Sequence, residues 1–247
     1  MRRADRVLVT ARNGDEHVRQ LTAAFAVAGV CLLIVGCSSG GNQGAETSTT
    51  RSTTTTTTAP PLADTALPGL LLGPEQVNAA MGATEMTVTE THFAMSDDSA
   101  TMEPRECLAI DGSAQAVVYA NSGHIAERDQ TLQEGDNFTH YVRQAVVLFP
   151  SAKQAGAFFI ASAQQWPACH HYTHTQSGSL WDVGPISNTD GTLSTIATQQ
   201  NANAPGWACG RALVQRNNIL IDVNTCSANP ADSAVNIANQ IAAKVPT

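Results

Sequence analysis

The chain has 247 residues, a formal net charge of −8, and only 14% charged and 5% aromatic residues. An acidic balance argues against a nucleic-acid surface and against a polybasic patch for anionic headgroups. The length admits one sizeable domain with flanking segments.

Residues 1–36 read as a lipoprotein signal peptide. Arg2, Arg3, Arg6, Arg12 and Arg19 make a basic leader, and residues 21–36 form an apolar run too short for a comfortable membrane span. That run ends Ile34-Val35-Gly36-Cys37, followed by Ser38-Ser39-Gly40. This is the pattern of a bacterial lipobox, and it predicts lipidation of Cys37 with cleavage before it. Two or three acyl chains then anchor the protein to the cell membrane on its extracytoplasmic face. Asp5, Asp15 and Glu16 are foreign to such a leader and point to initiation further on, at a valine such as Val18. Residues 37–67 are Gly, Ser, Thr and Pro with little to bury, a disordered linker. The Thr run before Pro60-Pro61 is similar to an O-glycosylated stalk. Five of the 13 basic and three of the 21 acidic residues lie in 1–37, so the rest carries 8 against 18, about −10.

The remaining stretch, 68–247, suits a single domain. Gly73-Pro74-Glu75-Gln76-Val77 opens a short helix with Pro74 at its first position. Residues 115–121 read as a strand, and 138–149 as a longer one with Val142, Val146 and Leu148 near alternation. Ser151 with Gln154 is a capping box. It starts a helix with Ala155, Phe158, Phe159, Ser162 and Trp166 on one face, stopped by Pro167. Strands follow near 170–176 and 192–200. Arg211–Arg216 and Ile219–Asn224 pair as a hairpin about Asn217-Asn218, since asparagine tolerates the positive φ of a tight turn. Asn229-Pro230 caps a last helix over 230–244, whose Ala234, Ile237, Ala238, Ile241 and Val245 form an apolar stripe. The fold class is α+β, an α/β sandwich of antiparallel sheet with helices packed on one side.

Cys31 leaves with the signal peptide and Cys37 is lipidated, so Cys107, Cys169, Cys209 and Cys226 remain. An even number outside the cytoplasm points to two disulfides. In the hairpin register Arg216 faces Ile219 and Val214 faces Ile221; continued outward, Cys209 faces Cys226. The alternation makes that a non-hydrogen-bonded pair, where side chains stand closest. Cys107 is left for Cys169.

The short GPEQV helix, the stretch VVLFPSAKQAGAFFIASAQQWPAC, and WACGRALVQRNNILIDVNTC leading to IANQIAAKVP together resemble the PknH-like extracellular sensor domain family, over essentially all of 68–247. That family takes its name from a mycobacterial serine/threonine kinase. The resemblance implies an α/β domain with the same disulfide pairing and an exposed cleft for an unidentified ligand. No kinase domain or transmembrane helix is legible in this sequence, which favours a freestanding lipoprotein over a receptor that signals by itself.

Chemical motifs are few. On a strand, His170, Tyr172 and His174 share a face, and Asp97, Asp98, Glu103 or Glu106 come near if Cys107 bonds Cys169. Without a visible ligand set, the plain reading is a polar strand, and no metal is expected. Asp97, Asp98, Glu103 and Glu106 could also bind calcium, but the run reads more simply as a solvated loop. Asn137-Phe138-Thr139 is a sequon read here as a strand entry. Trp166 and Trp207 precede disulfide cysteines and are expected to pack on the bridges; Trp181, in a turn-like stretch, is the candidate cleft residue. No G-x-S-x-G elbow, S-x-x-K, glycine-rich phosphate loop or H-E-x-x-H occurs, so neither a catalytic residue nor a cofactor is expected. The expected function is binding of a small envelope ligand or partner protein in a surface cleft. The alternatives are an accessory lipoprotein docking on a membrane complex, and more remotely an enzyme.

Overall fold

The structure is a computed structural model, and it describes residues 59–247. The signal-peptide reading of 1–36, lipidation of Cys37 and the linker as far as residue 58 lie outside the described residues. In chain order the elements are α1 (Leu67–Leu70), α2 (Pro74–Met81), β1 (Thr87–His92), β2 (Met102–Glu103), α3 (Leu108–Asp111), α4 (Ala116–Tyr119), β3 (Ala126–Gln133), β4 (His140–Leu148), α5 (Ala152–Gln165), β5 (His171–His174), β6 (Ser179–Val183), β7 (Ser187–Thr189), β8 (Thr192–Gln199), β9 (Trp207–Arg216), β10 (Ile219–Ala228) and α6 (Ser233–Ala242).

The strands form one sheet in the order β1-β3-β4-β10-β9-β8-β6-β5-β2, with β7 also on β8, and the paired strands run antiparallel. Its spine is the β9–β10 hairpin beside β4. Those strands alternate between two apolar faces, as a strand buried on both sides must. On one face Val142, Val146, Val214, Ile219, Ile221 and Val223 pack with Ile237 and Ile241 of α6 and Leu67 and Val77 of the N-terminal helices. On the other, Val147, Phe149, Leu213 and Leu220 pack with Tyr119, Ala155, Trp166 and Phe158. The α+β class holds, but helices cover both faces rather than one. The expected stripe on α6 and the expected face on α5 thus pack on opposite sides of the sheet. Gly210 makes room for α6: a Cβ there would stand 3.4 Å from Ala234 Cβ and 3.0 Å from Thr225 Oγ1 on the neighbouring strand.

The local signals largely hold. Pro74 opens α2, and Gly82, at φ 67°, closes it in the left-handed conformation. Ser151 Oγ accepts from the Gln154 backbone N–H at 3.3 Å, capping α5. The last helix starts later than expected, at Ser233, and Asp232 at its N-cap makes no side-chain bond. Asn229 and Ala231 instead take positive φ, and Ser233 Oγ meets Thr225 Oγ1 at 2.7 Å. Residues 115–121 are not a strand. Gln115 is extended and Ala116–Tyr119 is a single helical turn, which places Tyr119 on the sheet and Val117 in solvent. The strand expected over 170–176 is confined to His171–His174. The strands β1, β3, β6 and β7 carry no clear sequence signal.

The hairpin has the expected register, with Arg216 opposite Ile219 and Cys209 opposite Cys226, and its arms run on to Trp207 and Ala228. Asn217 takes the positive φ, 47°. Asn218 is 1% exposed, because its amide is a clamp. Its Oδ1 accepts from Leu62 N at 2.8 Å, while its Nδ2 donates to Leu62 O at 3.0 Å and Phe149 O at 2.8 Å. Asn217 Nδ2 donates to Pro60 O at 2.9 Å and Pro246 O at 3.4 Å. The ordered chain therefore joins the domain at the hairpin turn, before residue 68. Two disulfides staple the other end and the flank: Cys209–Cys226, with Cα atoms 4.1 Å apart, and Cys107–Cys169, at 5.2 Å.

Candidate functional site

A cavity of about 250 Å³ opens on the α5 side of the sheet, at the end of the hairpin away from the Asn turn. Cys209 lies eight residues from Asn217 along β9, about 26 Å at strand rise. The Cys209–Cys226 bridge and Asn224 contribute to the lining, as do Phe138, Tyr141, Trp207, Trp181, Asp111 and His174. The loop after β1, the α3–α4 segment, β4 with its approach, β5, β6, β9 and β10 all contribute to it, so no local motif announces it.

One wall is the α3–α4 segment, and a buried ion pair holds it down. Arg211 and Asp222, diagonal neighbours on β9 and β10, pair through Nη1 and Oδ1. The free oxygen of Asp222 accepts from Tyr119 Oη at 2.8 Å and from Ala114 N at 3.0 Å. Arg211 Nη2 donates to Gly112 O at 3.0 Å, and its guanidinium lies 5.4 Å from the Trp166 ring centroid. Ala114 sits at φ 50°, a strained value for a residue with a Cβ, and the Asp222 bond holds it there. Burial, followed by the adjacent Asp222 charge, pushes the Tyr119 hydroxyl well above its ordinary pKa, so it stays a donor.

Behind the cavity a second buried cluster runs across β3 and β4. Arg143 grips Asp129 with two bonds, Nε at 3.1 Å and Nη2 at 2.7 Å, and its Nη1 donates to Ser96 Oγ at 2.6 Å. Asp129 is fully buried and its pKa is lowered; burial opposes that shift, and the bonds and charge of Arg143, with Glu127 and His92 beside it, together outweigh burial. Two residues back on the same face, the Glu127 carboxyl is buried with no well-formed hydrogen bond. Burial first, and then Asp129, pushes its pKa up to about 9. Glu127 is therefore neutral at pH 7, and Asp129 keeps the charge that matches Arg143.

The rim carries the remaining chemistry. His174 Nε2 meets Asp111 Oδ1 at 2.7 Å and its Nδ1 meets Ser179 Oγ at 3.3 Å. Its pKa is raised, chiefly by the bond to Asp111, with burial opposing. Asp98 accepts from Gln115 Nε2 at 2.7 Å, which ties the loop after β1 to the wall.

Trp181 is 5% exposed, stacks on Tyr172 with centroids 5.8 Å apart, and edges the cavity. Trp166 is buried beside the Cys107–Cys169 bridge in one core cluster, as expected. Trp207 does more than pack on its bridge: half-buried, it faces Phe138 at 6.3 Å and forms cavity wall. The histidines do not act as a set. His170 is exposed outside β5, while His174 turns into the cavity onto Asp111. Asp97, Glu103 and Glu106 are exposed, and among the described residues no three His, Cys, Asp or Glu side chains converge as a metal site. Sequence reasoning missed Asp111, Phe138, Tyr141 and Arg143. Phe138, Tyr141 and Arg143 fall in the expected strand 138–149, and nothing in its alternation marks them as cavity wall.

A disulfide-stapled antiparallel sheet, covered by helices on both faces and hollowed at one end by an aromatic cavity, defines the class: an α+β domain with a surface cavity. The model of the PknH-like extracellular domain matches residues 62–244, and the chain belongs to that family. The chain is 35% identical over 190 residues to the serine/threonine-protein kinases PknH of Mycobacterium bovis and Mycobacterium tuberculosis, matching 75% of its own length. It spans about a third of those curated relatives, 32% and 30%. The crystal structure of the extracellular domain of PknH from M. tuberculosis superposes with a TM-score of 0.70 at 34% identity, covering 75% of this chain and 97% of that one.

Proposed function

We propose that the protein is a lipid-anchored, extracytoplasmic binding module that holds a small envelope ligand in the cavity beside Cys209–Cys226. The observation that carries this reading is the cavity itself: concave, walled by aromatic rings and edged by a few polar groups, the usual make-up of a small-ligand site. At about 250 Å³ it lies just below the roughly 300–1,000 Å³ of drug-sized sites, so it suits one ring or a short chain. Membership of a family of extracellular domains supports an extracytoplasmic setting, and the lipobox at Cys37 supports the anchor. Binding is favoured over catalysis because the acids and bases nearby hold one another: His174 with Asp111, Arg143 with Asp129, Arg211 with Asp222.

Native mass spectrometry of the protein purified gently from its host tests this. The expected result is a bound small molecule that is lost when Phe138 and Trp207 are both replaced by Ala. Both side chains are partly exposed, so the variant is expected to fold. A bare wild-type mass, or a molecule that the double variant retains, contradicts it.

A further inference from the structure

The charges at the cavity are unbalanced, and that bears on ligand class. This step rests on reading the cavity as a ligand site. Asp98 and Asp111 stand at the rim. Arg143 is the guanidinium that lines the cavity, and its charge is matched by the two-bond grip on Asp129. His174 is the remaining titratable base in the lining. It faces Asp111 of α3, Asp98 of the loop after β1, Ser179 and Trp181 of β6, and Tyr172 of its own strand. With His174 neutral, the rim carries two carboxylates without a free cation.

Beside them are ring faces with room between them. Phe138 is 37% exposed, with its ring 6.0 Å from Tyr141 and 6.3 Å from Trp207, tilted 44° and 48° to them. Tilted rings at that spacing offer π faces and edges to a guest instead of closing on each other as a stack. Ring faces attract cations, and more strongly where water is partly excluded. Carboxylates at the same opening add Coulomb attraction and repel anions.

We propose that the cavity takes an ammonium-bearing ligand, its cationic head seated between the rings of Phe138, Tyr141 and Trp207 and the carboxylates of Asp98 and Asp111. His174 then sets the pH response. Protonated, it neutralises Asp111 and competes with the ligand's charge. As pH rises through its raised pKa the proton leaves, Asp111 is freed, and cation binding strengthens.

Choline is the probe. Its controls are the uncharged isostere in which a tert-butyl group replaces trimethylammonium, and the anion tert-butylacetate. Titration calorimetry of the purified protein is expected to show choline binding about tenfold tighter than the neutral isostere, with no binding of the anion. Choline affinity rises from mildly acidic to mildly alkaline pH. Asp111→Asn, which keeps the shape of the rim, weakens choline several-fold, leaves the isostere unchanged and flattens the pH response. Phe138→Leu keeps the apolar bulk and also weakens choline. Equal binding of choline and its isostere overturns the proposal while leaving the cavity a binding site. Tighter binding of the anion overturns it too, as does a protein that carries a molecule from its host in the cavity yet ignores choline.

Discussion

At the scale of single residues, the buried charges decide the site's shape. Arg211–Asp222 and Arg143–Asp129 each fix a segment that becomes cavity wall, through Ala114 and Gly112 in one case and Ser96 in the other. Buried pairs of this kind give little net stability but are severe to break, because one uncompensated charge remains. Glu127 is the informative member, since it is buried without a base of its own. Its unfolded pKa is about 4.3, and in the fold it is pushed up to about 9. The native state thus holds a proton that the unfolded chain releases, so this group lowers stability progressively as pH climbs through that window. Glu127→Gln removes the titration and keeps a donor beside Asp129. We expect the variant to melt several degrees above wild type at mildly alkaline pH, with the gap closing toward pH 4. A gap that is constant or reversed across that range would show that Glu127 is ionised in the fold. None of this was legible in AERDQTLQ. Its Glu127 and Asp129 look like solvent-facing charges, and their burial depends on Arg143, which pairs from the next strand.

At the scale of elements, the β9–β10 hairpin was the most readable part of the chain. A two-residue turn fixes the register on both arms, and period-2 alternation carries it outward to the cysteines. The clamp made by Asn217 and Asn218 was not readable, because its partners at Pro60, Leu62, Phe149 and Pro246 are remote in sequence. Residues 115–121 misled for a related reason: their apolar residues serve one helical turn over the sheet, anchored by Asp222. Replacing Cys209 with Ser tests the hairpin staple. Its loop entropy is about 3 kcal/mol, and at about 2–4 °C per kcal/mol the melting temperature should fall by roughly 6–12 °C. Cys226, which lines the cavity, should then alkylate in the native protein. Alkylation at Cys107 or Cys169 instead would mean that the bridges pair differently.

At the scale of the whole molecule, the two ends of the sheet have different work. The turn end gathers the N-terminal strap, the C-terminus and Phe149. The far end, where β4 begins and β9 and β10 finish, spreads around the cavity. The first described residues, which meet the turn through Pro60 and Leu62, therefore stand at the opposite end of the hairpin from the cavity. The fold class and the disulfides could be read from the sequence because hydrophobic periodicity is local and Cys209–Cys226 spans one hairpin, which leaves Cys107 and Cys169 to each other across 62 residues. The cavity could not, because its wall draws on the loop after β1, on α3, and on strands from β4 to β10.

The chain's three tryptophans allow the central claim to be tested by site. Trp181 and Trp207 edge the cavity, and Trp166 is buried in the core beside Arg211. Indole N–H signals can be followed by nuclear magnetic resonance while a small-molecule extract of the host envelope is titrated in. The account predicts that the Trp181 and Trp207 signals shift and saturate together while Trp166 stays in place. Saturable shifts confined to other parts of the protein, or none at all, would contradict it.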